Sequence, residues 1–237
     1  VDGRDVQYII ALDTATGKTI WKTLRSLDYS KFPEHHRKAY SMPFLAPRGK
    51  GFQLVSPAGR GLYSYDPDTG KELWHMRHRG WSVAPRPIFG QGLIYAMVDR
   101  DRPELWAIRP DGNGDVSNTH IAWRETRGMP QRCSPLLVDE LLYLINRGGI
   151  ATCLEAKTGK LIWKERLKGA YSASPIYAKG RIYLFNESAS ATILRPGRKF
   201  EVIATNILAS QPLLATPAVD GDAFIVRAGG HLYRIEE

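Results

Sequence analysis

Ser64-Tyr-Asp66-Pro-Asp-Thr69-Gly70-Lys71-Glu-Leu-Trp74 decides the fold, because the chain writes the same sentence twice more. Ala11-Leu-Asp13-Thr-Ala-Thr16-Gly17-Lys18-Thr-Ile-Trp21 and Cys153-Leu-Glu155-Ala-Lys-Thr158-Gly159-Lys160-Leu-Ile-Trp163 keep the acid, the Thr-Gly-Lys turn and the Trp at fixed offsets. Self-similarity of this kind specifies an architecture before any single residue needs a role. Each copy reads as strand, tight turn, strand. Runs such as Gln7–Leu12 and Ala151–Leu154 are apolar, aromatic or β-branched and stop at the acid. Gly17, Gly70 and Gly159 are expected to supply the positive φ of the reversal, with the preceding Asp or Thr bonding its own backbone. A short outer strand with outward Lys and inward apolar residues follows.

A second signature precedes each copy. Ser41-Met-Pro43, Ala84-Pro85, Ser134-Pro135, Ser174-Pro175 and Thr216-Pro217 each open a short apolar run, as a first strand position allows, since no ladder N–H is lost there. Apolar strands come next at Gly92–Met97, Leu141–Ile145, Gly180–Phe185 and Ala223–Val226, and Gly148-Gly149 and Gly229-Gly230 read as tight turns before third strands. The unit is four short antiparallel strands, and the prolines are spaced by 42, 50, 40 and 42 residues, the length of a propeller blade. No stretch has the periodicity of a long helix. The expectation is an all-β propeller in a single domain over residues 1–237. Its parts are a half-blade at 1–25, blades at 39–79, 82–127, 131–168 and 171–206, and a partial blade at 211–237. Joining the first outer strand to the last three closes a ring of five blades with one strand left over, so the pattern reads as a ring of five to six visible blades lacking its N-terminal part.

Two copies depart from the pattern. Ala107–Trp123 keeps the Trp but lengthens the turn, and Thr192–Ala204 keeps turn and strand without a Trp. Trp21, Trp74, Trp123 and Trp163 are structural in this reading, each burying about 150–250 Å² against the neighbouring blade.

The 237 residues, 43% hydrophobic, suffice for a sizeable core, and no apolar run approaches a membrane span. Cys133 and Cys153 fall on what read as the first and third strands of one blade, too far apart for a disulfide, and are expected to be buried thiols. The net charge is +9, with basic clusters in connections at His36–Lys38, Arg77–Arg79, Arg124–Arg132 and Arg195–Lys199. That field favours acidic partners such as an acidic polysaccharide, and no run is dense enough for specific nucleic-acid binding.

The Asp-x-x-Thr-Gly-Lys-x-x-Trp turns at 13–21 and 66–74 and the Ser-Pro openings resemble the repeat of the pyrroloquinoline-quinone-like β-propellers, over essentially the whole chain. The resemblance implies one of three functions: a quinone- and calcium-dependent dehydrogenase, a non-catalytic protein-binding propeller, or a sensor domain of a larger protein. The uncharacterised secreted bacterial members are the most similar in pattern, implying a periplasmic or secreted protein; a monomer is expected. The dehydrogenase branch requires a calcium-binding Glu/Asn/Asp set, a catalytic Asp and adjacent cysteines, whereas the two cysteines here stand twenty positions apart. No catalytic residue and no cofactor is therefore assigned.

Asp111-Gly-Asn113-Gly-Asp115 alternates oxygen ligands with glycine as a calcium loop does, but Val116 and Ala122 stand where an EF-hand needs Gly and Glu. On an extended backbone His35 and His36 would point to opposite faces, so a shared metal is not expected. No nucleophile elbow, P-loop or dinucleotide fingerprint is present. The remaining site candidates precede the innermost strands, beside a propeller's channel. Tyr40, Arg79, Trp81, Arg132 and Tyr171, with Ser41, Ser82, Gln131 and Ser172 beside them, would make a stacking, cationic mouth for a protein or an anionic glycan.

Overall fold

The computed structural model describes residues 2–3, 5–208 and 212–236, and the chain divides into two compact units, Val1–Arg127 and Gly128–Glu237. The described residues are all-β, and their only helical elements are short 3-10 turns at Tyr29–Lys31 and Glu34–Arg37.

In the first unit β1 (Tyr8–Leu12) pairs with β2 (Thr19–Leu24). The next sheet runs through β3 (Phe44–Arg48), β4 (Gly51–Ala58), β5 (Gly61–Tyr65) and β6 (Glu72–Arg77) as an antiparallel meander. The third has β7 (Ile88–Gly90), β8 (Leu93–Val98) and β9 (Glu104–Ile108); after β10 (Gly114–Asp115) it is completed by β11 (Ile121–Glu125). β10 leaves its own sheet and pairs in parallel with β6, Gly114 opposite Trp74. The lengthened turn of the third copy is thus a fifth strand on the second sheet.

The second unit holds two four-stranded meanders. They are β12 (Leu136–Val138), β13 (Leu141–Ile145), β14 (Ile150–Glu155) and β15 (Leu161–Arg166), then β16 (Ile176–Ala178), β17 (Arg181–Phe185), β18 (Ser190–Leu194) and β19 (Val202–Ile207). Three strands follow: β20 (Ala218–Asp220), β21 (Ala223–Ala228) and β22 (His231–Ile235). Pro43, Pro135, Pro175 and Pro217 each stand immediately before an innermost strand rather than inside it, and Pro85 stands further out. Cys133 likewise precedes β12 and is not on it, while Cys153 is on β14. Both are buried free thiols, and burial pushes each up to about 12.

The repeated turn works as its residues require. Asp66 Oδ1 accepts from the backbone N–H groups of Asp68 and Thr69 at 3.1 and 2.8 Å and from the Thr69 hydroxyl at 2.8 Å. Asp13 does the same for Ala15 and Thr16. These bonds hold both carboxyls below the usual carboxylate range. Gly17, Gly70 and Gly159 have φ of 69°, 73° and 72°. Just past the turn each sheet carries one irregularity in the same register, where Ala11 faces Trp21, Ser64 faces Trp74 and Cys153 faces Trp163.

The Trp residues are not equivalent. Trp74 is fully buried and donates at 2.7 Å to Gln53 Oε1, a buried amide that also accepts from Ser64 Oγ at 2.6 Å and donates to Pro110 O at 2.9 Å. Trp21 and Trp163 are half-buried and dock on the following sheet's turn, donating to Pro67 O at 3.0 Å and to Gly197 O at 3.2 Å. Trp123 is half-buried beside Tyr95. The equal burial expected of all four is therefore corrected: only Trp74 has a further strand laid over it.

Candidate functional site

In the first unit the crossing from β6 to β7 carries two of the expected residues. Arg79 is exposed, and Trp81 is half-buried just before Ser82, which adopts φ of 56°. The crossing is tied to the segment ahead of β3: Ser82 N–H donates to Lys38 O and Tyr40 N–H to Val83 O, each at 2.7 Å. Tyr40 is 68% exposed, which leaves its ring free to stack on an incoming group.

Trp81 has company that the sequence did not announce. Glu34–Arg37 is a 3-10 turn, not an extended strand, so His35 and His36 do not point apart: their ring centroids are 4.2 Å from each other. Both rings pack on Trp81, at 5.2 and 4.9 Å, and the Arg100 guanidinium lies 5.5 Å from its centroid. Arg60 bonds His36 Nδ1 and stacks 4.9 Å from Phe32. Burial, and then the Arg60 charge, hold the His36 imidazole below its usual range, so it is neutral near pH 7.

Beside this cluster lies a cleft of about 650 Å³, whose lining includes Arg77, His78, Arg79, Trp106, Asn118 and Arg124. Trp106 donates to Glu104 Oε2 at 2.7 Å and sits 6.1 Å from His78, edge to face. His78 accepts from Gly80 N–H at 3.0 Å, and burial pulls it down to about 4. Arg77 is shared with Asp115 at 3.5 Å. Arg79 and Arg124 make no side-chain hydrogen bond or ion pair among the described residues, so their charge faces the cleft and solvent. The basic run Arg77–Arg79 was visible as a signal, whereas Trp106 lies outside the repeated Trp register and gave none.

In the second unit Arg132 is exposed and donates to Ser172 Oγ at 3.1 Å, and Ser172 donates to Glu187 Oε1 at 2.7 Å. Tyr171 does not belong to an accessible mouth. Its ring is fully buried in the core with Tyr143, Cys153 and Ile182, and its hydroxyl donates to Lys168 O at 3.2 Å. Placing it among the ligand-binding residues is corrected accordingly.

The candidate calcium loop is not assembled as a cage. Asp111 Oδ1 lies 3.6 Å from His120, and Asp115 accepts from Ser117 and faces His75 and Arg77. Among the described residues no three His, Cys, Asp or Glu side chains converge to hold an ion, and the two cysteines are buried and not adjacent. Among the described residues, neither an assembled oxygen-ligand set nor an adjacent cysteine pair is available for a quinone with its calcium. No helix of the described residues is long and apolar enough to cross a membrane.

Comparison with known proteins bears on the fold and the family. The family described as outer membrane protein assembly factor BamB matches residues 5–138 and 118–196. No curated protein matches the sequence. Among solved structures, BamB from Moraxella catarrhalis aligns with TM-score 0.67 at 13% identity, over 94% of this chain and 65% of that one. The computationally designed Ika8 protein aligns at 0.59 and 13% identity, over 80% and 56%. The quinohemoprotein alcohol dehydrogenase from Comamonas testosteroni aligns at 0.58 and 14% identity, over 86% and 40%. The chain spans less than two thirds of each, and at these identities the likeness establishes the fold, a β-propeller of four-stranded blades.

Proposed function

Since the chain belongs to the family of the outer membrane protein assembly factor BamB, we propose that it is a non-catalytic binding propeller whose partner is a protein. The partner presents an acidic patch to the cleft at Arg77, Arg79 and Arg124 and an apolar group to the adjoining Trp81. The observation that carries this reading is the pair Arg79 and Arg124, exposed and with guanidinium groups that make no hydrogen bond or ion pair among the described residues, beside a half-buried Trp. Trp, Tyr and Arg are the residue types on which protein interfaces concentrate their binding energy, and the net charge of +9 steers an acidic partner toward the surface. The protein works as a monomer in the periplasm or outside the cell.

A photo-cross-linking amino acid at position 81 tests this in cells. The expected result is a protein adduct that weakens in an Arg79→Glu, Arg124→Glu variant and with rising salt. Retention of the wild type alone on a sulfated polysaccharide column, with no adduct, would shift the partner to an anionic glycan. A melting temperature raised saturably by pyrroloquinoline quinone with calcium would overturn the non-catalytic reading.

A further inference from the structure

The outer strands of the second and fourth blades present the same kind of edge, and only one of the two is covered. On β6 the backbone of His75 and Arg77 meets a segment of the third blade. Val116 N–H donates to His75 O, and Arg77 N–H donates to Ser117 Oγ, each at 2.9 Å. The parallel pairing sets Asp115 opposite His75, 3.6 Å from that imidazole and 3.5 Å from the Arg77 guanidinium. A short strand bearing an acid thus lies along a basic edge.

On β15 Lys164 and Arg166 stand one and three places past Trp163, as His75 and Arg77 stand past Trp74. The registers agree, because His78 N–H closes the second blade on Arg60 O and Leu167 N–H closes the fourth on Gly149 O. The N–H and C=O groups of Lys164 and Arg166 therefore point away from β14. β15 ends its sheet among the described residues, and the fifth blade's connection at 195–201 holds no strand to lay beside it. Both residues are exposed, and Glu165 between them projects from the opposite face. Arg166 Nη1 donates to Gly148 O at 3.0 Å, and the Lys164 ammonium makes no hydrogen bond or ion pair among the described residues. No other blade has two basic residues at these offsets, which hold Lys22 and Leu24 in the first, Arg124 and Thr126 in the third, and Thr205 and Ile207 in the fifth.

We infer that the open edge of β15 docks an extended segment of a partner protein, which joins the sheet as a parallel strand and sets an acidic residue against Lys164 and Arg166. Strand addition draws affinity from the main chain and selection from the side chains beside it. The net charge of +9 sets two copies of the chain against each other, so the segment belongs to a different protein. Nothing in this inference depends on the cleft that Trp81 adjoins.

The test titrates the full 237-residue chain with the blocked peptide Thr-Val-Thr-Asp-Val-Thr-Val, followed by backbone amide resonances and hydrogen exchange. Saturable shifts at Lys164 and Arg166 and slowed exchange of the Arg166 N–H are expected, with a Kd of about 1 mM or tighter. Lys in place of the peptide's Asp weakens binding at least about tenfold, and a Lys164→Glu, Arg166→Glu protein reverses that preference. N-methylation of the Val after the Asp removes the N–H that corresponds to Val116 and weakens binding by a similar factor of about ten or more. Equal binding of the methylated peptide shows charge attraction without strand addition and overturns the inference. Absence of shifts on β15 overturns it too, as does a charge-reversed protein with an unchanged preference. A dimer in sedimentation equilibrium that Lys164→Glu disperses assigns the edge to a second copy instead and overturns the partner segment. If the charge-reversed protein does not fold, the methylated and unmethylated peptides on the unmodified chain decide.

Discussion

The second and fifth blades are built from the same four-strand unit and end in opposite conditions. In the second, Trp74 fills the repeated register, Gln53 satisfies its N–H, and β10 is laid alongside β6. In the fifth, the register holds half-buried Ala204, opposite Ile193, and the sheet has four strands. The two blades thus differ in the side chain at one fixed offset and in the strand laid beside it.

The sharpest way to break that comparison is to make a closed blade resemble the fifth. Trp74→Ala is expected to cost about 4–5 kcal/mol in denaturant unfolding, because a fully buried ring and its hydrogen bond to Gln53 are lost together. Trp163→Ala, whose ring is half-buried, is expected to cost about 2–3 kcal/mol. Equal losses would mean that the additional strand over Trp74 contributes nothing.

A smaller effect separates two turns of identical chemistry. A Cβ at Gly70 runs into the Trp21 ring, whereas one at Gly17 meets nothing within 4 Å. Gly17→Ala then costs only the left-handed backbone, about 1–2 kcal/mol, and Gly70→Ala adds displacement of the docked Trp, for about 3 kcal/mol or more. Thermal unfolding of the two variants ranks them, and the reverse order would show that Trp21 does not rest on that turn.

The smallest effect is in acid. His78 lies in the cleft beside the second and third blades and is pulled from 6.5 to about 4, while the fifth blade contains no histidine. The unfolded chain binds this proton more readily than the folded one, so stability falls as pH drops from 6.5 toward 4 and is restored above 6.5. His78→Asn, which keeps an acceptor for Gly80 N–H, is expected to flatten the slope of stability against pH in that window. An unchanged slope would assign the acid sensitivity elsewhere.

Much of the fold was legible because it is local. Asp13 and Asp66 bond the next residues of their own turns, and Gly17 and Gly70 take φ values that other residues adopt at a cost, so the chemistry sits within a few positions of sequence. The candidate site was legible only in fragments. Their place before an innermost strand puts Arg79 and Trp81 on the crossing from β6 to β7, as expected, but the packing of His35 and His36 was not legible because a 3-10 turn has no periodic signature. Tyr171 was misplaced because an aromatic beside a Ser-Pro opening reads alike whether it faces solvent or core. β10 could not be foreseen, since a two-residue strand pairing with another blade has no alternation to display.

Arrays of repeats hold together through nearest-neighbour contacts, and each unit can in principle open alone. Backbone hydrogen bonds join neighbouring blades elsewhere, as from Tyr171 N–H to Arg147 O and from Leu213 N–H to Glu187 O, but the pairing of Gly114–Asp115 with Trp74–His75 adds a strand of the third blade to the sheet of the second. Opening either sheet strips amides from the other. Coupled opening of this kind would show in hydrogen exchange as the slowest amides of β6 and of Val116 exchanging together.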